Sequence, residues 1–262
     1  MNFTKKDYTF NDLIDIMKML RGDNGCPWDR EQTHQSIKYN LLEEACEAME
    51  AMDSKDSDSF ADELGDVLLQ VVFHSEIAKG EGTFTIQDVL NHICNKLISR
   101  HTHIFGDDTA ESADNVLELW EKNKKAEKRD KSQSELMKDV CSYLPALIRA
   151  AKVQKKAAQV GFDWDDAKGA SEKLTEETEE LKTAIDNGDI NNAEEELGDL
   201  LFSIVNVSRF LKINPEEALK KSTDKFVLRF EKLEELANSL GKDLNEMSLS
   251  EMDEFWDKVK TN

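Results

Sequence analysis

Proline, glycine and cysteine are scarce in this sequence, and basic residues are in the minority. Three prolines and 11 glycines in 262 residues impose few turns, so long helices are the default expectation. The four cysteines, Cys26, Cys46, Cys94 and Cys141, form no C-x-x-C pair. That argues against a disulfide framework or a zinc site and predicts reduced, mostly buried thiols in a cytoplasmic protein. The first residues, MNFTKKDYTFNDL, hold no apolar core of the roughly 7–15 residues found in a secretory signal. The longest apolar stretch, over residues 67–73, is interrupted by Gln70 and is far too short to span a bilayer. Against 34 Lys+Arg stand 55 Asp+Glu, a formal net charge of −21. So acidic a chain is expected to bind neither a nucleic-acid backbone nor a membrane. It accepts an anionic substrate only where something locally positive, such as a metal ion, intervenes.

What the sequence does contain is a repeat. Residues 41–73 (LLEEACEAMEAMDSKDSDSFADELGDVLLQVVF) align without a gap on residues 174–206 (LTEETEELKTAIDNGDINNAEEELGDLLFSIVN), at an offset of 133. Upstream, Gly25-Cys-Pro-Trp-Asp29 resembles Gly161-Phe-Asp-Trp-Asp165. Downstream, Lys96-x-x-x-Arg100 resembles Lys225-x-x-x-Arg229, and Leu119-Trp120-Glu121-Lys122 resembles Phe255-Trp256-Asp257-Lys258. The same order of features occurs twice, as in a tandem duplication of a unit of roughly 120 residues. The expected division is a unit over 1–120, a charged linker over 121–140, and a second unit over 141–262.

Within a unit the periodicity is helical. Leu174, Leu181 and Ile185 share one helix face, Asn187-Gly188 reads as a turn, and a second stripe runs through Leu197, Leu200, Leu201, Ile204, Val205 and Phe210. A third helix is expected to start near Pro215, carry Leu219, Phe226, Phe230 and Leu233, and stop at Gly241. Only residues 83–86 alternate with a period of two. The fold class is therefore all-α, a tandem pair of helical bundles.

Glu177 and Glu180 are three residues apart on one helix, and Glu196 and Asp199 are three apart on the next. Both pairs are symmetric about residue 188, so an antiparallel hairpin turning there sets them face to face. In the first repeat Glu44/Glu47 and Glu63/Asp66 are symmetric about Lys55 in the same way. Four converging carboxylates stay ionised only beside a cation. With oxygen donors alone the expected ion is hard, Mg²⁺ first and Mn²⁺ second. Solvated acidic helix faces are the plain alternative, but such faces have no reason to hold register in both halves. Gly65 and Gly198, costly inside helices, are expected to mark close helix contacts.

With these residues in view, the chain resembles the MazG nucleoside triphosphate pyrophosphohydrolases in their tandem two-domain form, over essentially its whole length. The resemblance rests on Glu176-Glu177-x-x-Glu180, Glu196-Leu-Gly-Asp199, Gly161-Phe-Asp-Trp164, Lys225-x-x-x-Arg229 and Trp256. It implies an all-α, Mg²⁺-dependent and usually dimeric enzyme that cleaves a nucleoside triphosphate to the monophosphate and pyrophosphate, often as nucleotide housecleaning. Carried across by position, it implies Glu177, Glu180, Glu196 and Asp199 as metal ligands. It also implies a nucleotide site including Lys173, Leu174, Thr175, Glu176, Glu177, Asn192, Ala193, Glu194, Glu195, Asp199, Lys225, Arg229 and Trp256. Tandem members can carry a lysine where this chain has Asn192, which offers a neutral hydrogen bond instead of a charge. Glu176 is the candidate general base, and water is the nucleophile by elimination, because no P-loop, nucleophile elbow or Cys/His dyad is found.

Lys225 and Arg229 share a helix face and would grip phosphate oxygens, a solvated basic pair being the plain alternative. Trp256 stacks on a base or packs in a core, and Trp164 is read as a packing anchor. Glu44, Glu47, Glu63 and Asp66 form a candidate second metal site, and the N-terminal unit is read as either active or structural. His101 and His103 lack a third ligand nearby and are read as a surface or substrate-adjacent pair. Two other classes compete: a di-iron or di-manganese carboxylate bundle, disfavoured because no histidine occupies a motif position, and a non-enzymatic acidic adaptor.

Overall fold

A computed structural model of the chain describes residues 7–127 and 131–261. The described residues form helices and their connections, with no strand. The alternation over residues 83–86 belongs to a helix start instead, because Thr85 and Asp88 make a reciprocal capping box. The chain divides into two compact units, Met1–Arg129 and Asp130–Asn262.

The first unit contains α1 (Phe10–Arg21), α2 (Pro27–Glu31), α3 (Asn40–Ser54), α4 (Ser57–Glu81), α5 (Ile86–Arg100), α6 (Thr102–Phe105) and α7 (Ala113–Ala126). The second contains α8 (Gln133–Lys138), α9 (Ala146–Ala158), α10 (Ala167–Asp186), α11 (Ile190–Phe210), α12 (Pro215–Ser239) and α13 (Leu249–Thr261). Helix α7 runs past residue 121, and α8 lies inside the stretch read as a linker, of which residues 128–130 fall outside the described residues.

Each unit is organised on a helical hairpin, α3 with α4 and α10 with α11. The turns are short and their chemistry is local. Gly188 sits at φ 69° and Lys55, its counterpart in the repeat, at φ 62°. The next helix is then capped by a carboxylate: Asp56 accepts from the Asp58 amide at 3.0 Å, and Asp189 from the Asn192 amide at 3.1 Å. In the first unit Met17 of α1, Ile37, and Val72, Phe73 and Ile77 of α4 form a core, flanked by Leu13, Leu69 and Ile86. In the second, α12 and α13 close a smaller core of Leu233, Ala237 and Phe255, with Trp256 and Leu236 against it.

Several expectations about burial are corrected. Cys46, Cys94 and Cys141 are exposed and Cys26 is half-buried, because these positions lie off the faces on which the helices pack. Of the α11 stripe only Val205 is fully buried, while Leu197, Leu201 and Ile204 are exposed. On α12, Leu219, Phe226 and Phe230 are exposed and Leu233 is buried. A two-helix hairpin has too little interior to cover such stripes by itself. Gly65 and Gly198 are not close-contact sites within the chain: a Cβ at either would meet nothing within 4 Å. In Glu-Leu-Gly-Asp the two carboxylates point to the partner helix, and the glycine, two residues after the Glu, is turned away from it.

Lys55 is a non-glycine residue held in the left-handed region that Gly188 occupies in the second repeat. Lys55→Gly should therefore stabilise the first unit by about 1 kcal/mol and Gly188→Ala should destabilise the second by a similar amount. Thermal melts of the two variants against the parent chain check both signs.

Candidate functional site

The hairpin brings the acidic positions together in both units. In the second, one oxygen each from Glu177, Glu196 and Asp199 lie within 4.8 Å of one another; in the first, Glu44, Glu63 and Asp66 do the same. These are equivalent positions of the repeat. The fourth carboxylates lie outside the trios but act on them electrostatically, Glu180 with Glu196 and Glu177, and Glu47 with Glu44 and Glu63. Ligand oxygens around an octahedral ion at about 2.1 Å stand roughly 3–4.2 Å apart. The spacing and the all-oxygen donor set therefore suit a hard divalent cation.

The electrostatics carry the mark of this crowding. Lost solvation, then the charges of Glu177 and Asp199, push the Glu196 carboxyl above its ordinary range. Lost solvation, then Glu196, do the same to Glu180. Lost solvation, then Asp66 and Glu47, raise Glu44, and lost solvation, then Glu47 and Asp66, raise Glu63. In the second unit Lys173 supplies a compensating charge. Its ammonium lies 2.5 Å from Glu177 and 3.0 Å from Glu176, and these hydrogen bonds raise its own pKa well above the usual lysine range. Glu177 is only 3 % exposed, so its charge is the one most in need of a partner. In the first unit Gln70 takes that place, with Nε2 donating to Glu44 at 3.3 Å.

The remaining sequence-predicted residues fall into three groups. Leu174, Thr175 and Glu176 lie on α10 beside the trio, Leu174 half-buried and the other two exposed, with the Thr175 hydroxyl donating to the Ser171 carbonyl at 3.3 Å. Asn192, Ala193, Glu194 and Glu195 form the first turns of α11, all exposed except half-buried Ala193. Lys225 and Arg229 lie on α12 and Trp256 on α13, with Trp256 packed against the small core and 5.1 Å from the Phe226 ring.

A cavity of about 600 Å³ opens beside the second trio, lined by Lys173, Glu177 and Asp199 at one side and by Phe162, Trp164 and Arg209 among others. Lys225, Arg229 and Trp256 do not line it. Trp164, read as a packing anchor, is 45 % exposed and leans on Gly169, where an added Cβ would lie 3.4 Å from its ring. Gln154, Asn206 and Arg209 also line this cavity and went unnoticed in the sequence. The one available signal was Arg209, a charge at the end of the apolar α11 stripe. His101 and His103 join neither acidic trio; the His101 ring packs edge-on against Trp120 at 4.8 Å.

The described residues define an all-helical protein with a doubled acidic hairpin, whose facing carboxylates could hold a metal ion in each unit. The MazG nucleotide pyrophosphohydrolase domain model matches it twice, over residues 32–105 and 167–233, and the chain belongs to that family. It is 49 % identical over 251 residues to the nucleoside triphosphate pyrophosphohydrolase/pyrophosphatase MazG of Thermotoga maritima, covering 96 % of this chain and 95 % of that one. It is 41 % identical to the nucleoside triphosphate pyrophosphohydrolase of Escherichia coli K12, covering 95 % of each chain. It is also 48 % identical to the uncharacterized protein YabN of Bacillus subtilis, matching 97 % of this chain but 52 % of that longer one.

A carboxyl group whose pKa is raised on folding stabilises the fold below its ordinary value of 4.5 and loses that contribution as pH rises through the raised value. Without divalent ions, the melting temperature of the wild type should accordingly carry a falling component from pH 4.5 towards neutrality that Glu196→Gln reduces. At pH 7 millimolar Mg²⁺ should raise the melting temperature of the wild type more than that of Glu196→Gln. Scanning calorimetry at both pH values, with and without Mg²⁺, reads out each difference.

Proposed function

We propose that this chain hydrolyses nucleoside triphosphates to the monophosphate and pyrophosphate, as a Mg²⁺-dependent housecleaning enzyme working mainly in its C-terminal unit. The observation carrying this reading is that Glu177 and Asp199, two members of the acidic trio with Glu196, line a cavity large enough for a nucleotide. The names of the relatives support it. A bound divalent cation would neutralise the carboxylates and polarise the phosphate oxygens of the substrate. Glu177, Glu196 and Asp199 would hold it, with Glu180 alongside, and Mn²⁺ would fit the same donors.

The chain's own residues then have defined tasks. Lys173, at the lip of the trio, is placed to exchange a carboxylate for a phosphate oxygen. A carboxylate accepts the proton of the attacking water. Glu176 holds that role on the sequence reading, but it is paired with Lys173 at 3.0 Å. Glu180, whose pKa is raised by lost solvation and then by Glu196 and Glu177, is the competing acceptor. Lys225 and Arg229 form no ion pair among the described residues, which leaves both able to meet phosphate. Their counterpart Arg100 in the first unit is tied to Glu127 at 2.6 Å and lies over the Trp120 ring at 5.3 Å. That difference favours the second unit as the working one. The exposed α11 stripe supports a homodimer, and the four unpaired cysteines are consistent with a cytoplasmic protein.

Product analysis over a panel of nucleoside triphosphates should show pyrophosphate as the first phosphate product, and orthophosphate in its place would refute the reaction type. Glu177→Gln should lower kcat about 100-fold, with Glu44→Gln retaining most of the activity. Equal loss in both variants would place the activity in both units. Glu176→Gln and Glu180→Gln, compared for loss of the acidic limb of the pH–rate profile, identify the proton acceptor.

A further inference from the structure

All five histidines of the chain, His34, His74, His92, His101 and His103, lie in the first unit, and the second has none. Two of them meet. His34, in the connection ahead of α3, and His74, on α4, set their Nδ1 atoms 2.8 Å apart, with the ring planes 9° apart. The contact joins positions 40 residues apart in the sequence, and both residues are half-buried. The shared hairpin does not require it: continuing the repeat alignment by one position sets Val207 against His74.

A neutral imidazole has one lone pair, and the partner of one ring nitrogen decides which nitrogen carries it. Glu81, the last residue of α4, brings Oε2 to 3.6 Å from His34 Nε2. A carboxylate there favours a proton on Nε2 and leaves the lone pair on Nδ1, at the contact with His74. Metal-binding histidines are oriented in this way, with a carboxylate behind the far nitrogen. The separation fits as well. Nitrogens bound side by side to one ion, at about 2.0–2.1 Å each, stand roughly 2.8–3.4 Å apart for right-angled to tetrahedral bond angles.

A cavity of about 560 Å³ opens beside the pair, lined by His34, His74, Lys38, Gln70 and Phe84 among others, and no residue of the first acidic trio lines it. The Lys38 ammonium lies 5.6 Å from the centre of the Tyr39 ring. Among the described residues no carboxylate, thiol or third imidazole completes a trio with the two nitrogens. An ion there would keep open positions for water.

We propose that His34 and His74 bind a borderline transition-metal ion of the Zn²⁺ type through their Nδ1 atoms, with water from the cavity completing its shell. Imidazole donors suit such an ion, whereas the all-carboxylate trios suit Mg²⁺. Binding moves the proton that bridges the rings from Nδ1 to Nε2 of the ring that carried it, so the neutral pair takes up the ion without net release of protons. The ion clips the connection ahead of α3 to α4.

The test is calorimetric titration of the full chain with Zn²⁺ alone, in millimolar Mg²⁺ to fill the carboxylate trios, on wild type, His34→Gln, His74→Gln and Glu81→Gln. Wild type should take up one more Zn²⁺ per chain than either histidine variant, and Glu81→Gln should bind that ion about 10-fold more weakly. Zn²⁺ should also raise the melting temperature of wild type more than that of the histidine variants. Equal uptake by wild type and folded His34→Gln overturns the site. So does uptake that the histidine variants keep and Glu44→Gln loses, which would place the ion at the first trio. Imidazole ¹⁵N spectra of the wild type need no substitution: Zn²⁺ should shift the Nδ1 signals of His34 and His74 together. Unchanged signals would overturn the site and leave a shared proton only. None of these outcomes depends on whether the chain hydrolyses nucleotides.

Discussion

Repulsion between carboxylates facing each other across a helical hairpin is the constraint on which the rest of this structure depends. Glu177 on α10 and Glu196 and Asp199 on α11 are held within one ligand sphere of each other, although like charges at that distance oppose the packing of the two helices. The hairpin tolerates them because its turn is set by a residue in the left-handed region and by a carboxylate cap on the second helix. Those local devices act regardless of what the facing side chains prefer. Lost solvation first, and the neighbouring carboxylates after it, raise the pKa values of Glu180 and Glu196, and a cation held there would offset both.

The same constraint organises the surroundings. A buried Glu177 requires a positive partner, and Lys173 one helical turn earlier provides it. Lys173 and Glu177 line one cavity together with the Asp163–Arg209 ion pair. The first unit repeats the hairpin and the acidic trio but not these surroundings. There Gln70 contacts Glu44, Arg100 is committed to Glu127 and Trp120, and the residues aligned with the cavity wall are different. Duplication preserved the element that holds charge and let the elements around it diverge.

Much of this was legible because it is local or periodic. Three-residue spacing puts Glu177 with Glu180 and Glu196 with Asp199 on single helix faces, and symmetry about residue 188 pairs those faces once the turn is assigned. The helix start at Pro215 and stop at Gly241 follow from the same short-range rules. Burial was read less well. Leu197, Leu201, Leu219 and Phe226 look like core in a stripe yet are exposed in the chain, because periodicity reports that a face is apolar and not what covers it. Gly198 failed as a contact marker for a related reason: its cost in a helix is intrinsic, but its surroundings belong to the fold.

The order of residues along the chain, by itself, determined the all-helical class, the duplication and the convergence of acidic groups, since each depends on backbone periodicity and on turns a few residues long. Only the tertiary structure decided that Lys173 closes on Glu177 and that Gln154, Asn206 and Arg209 from two other helix positions meet Phe162 and Trp164 around one space. Such meetings depend on how α9, the loop after it and α11 are oriented in three dimensions. Spacing along a single helix carries no record of that orientation.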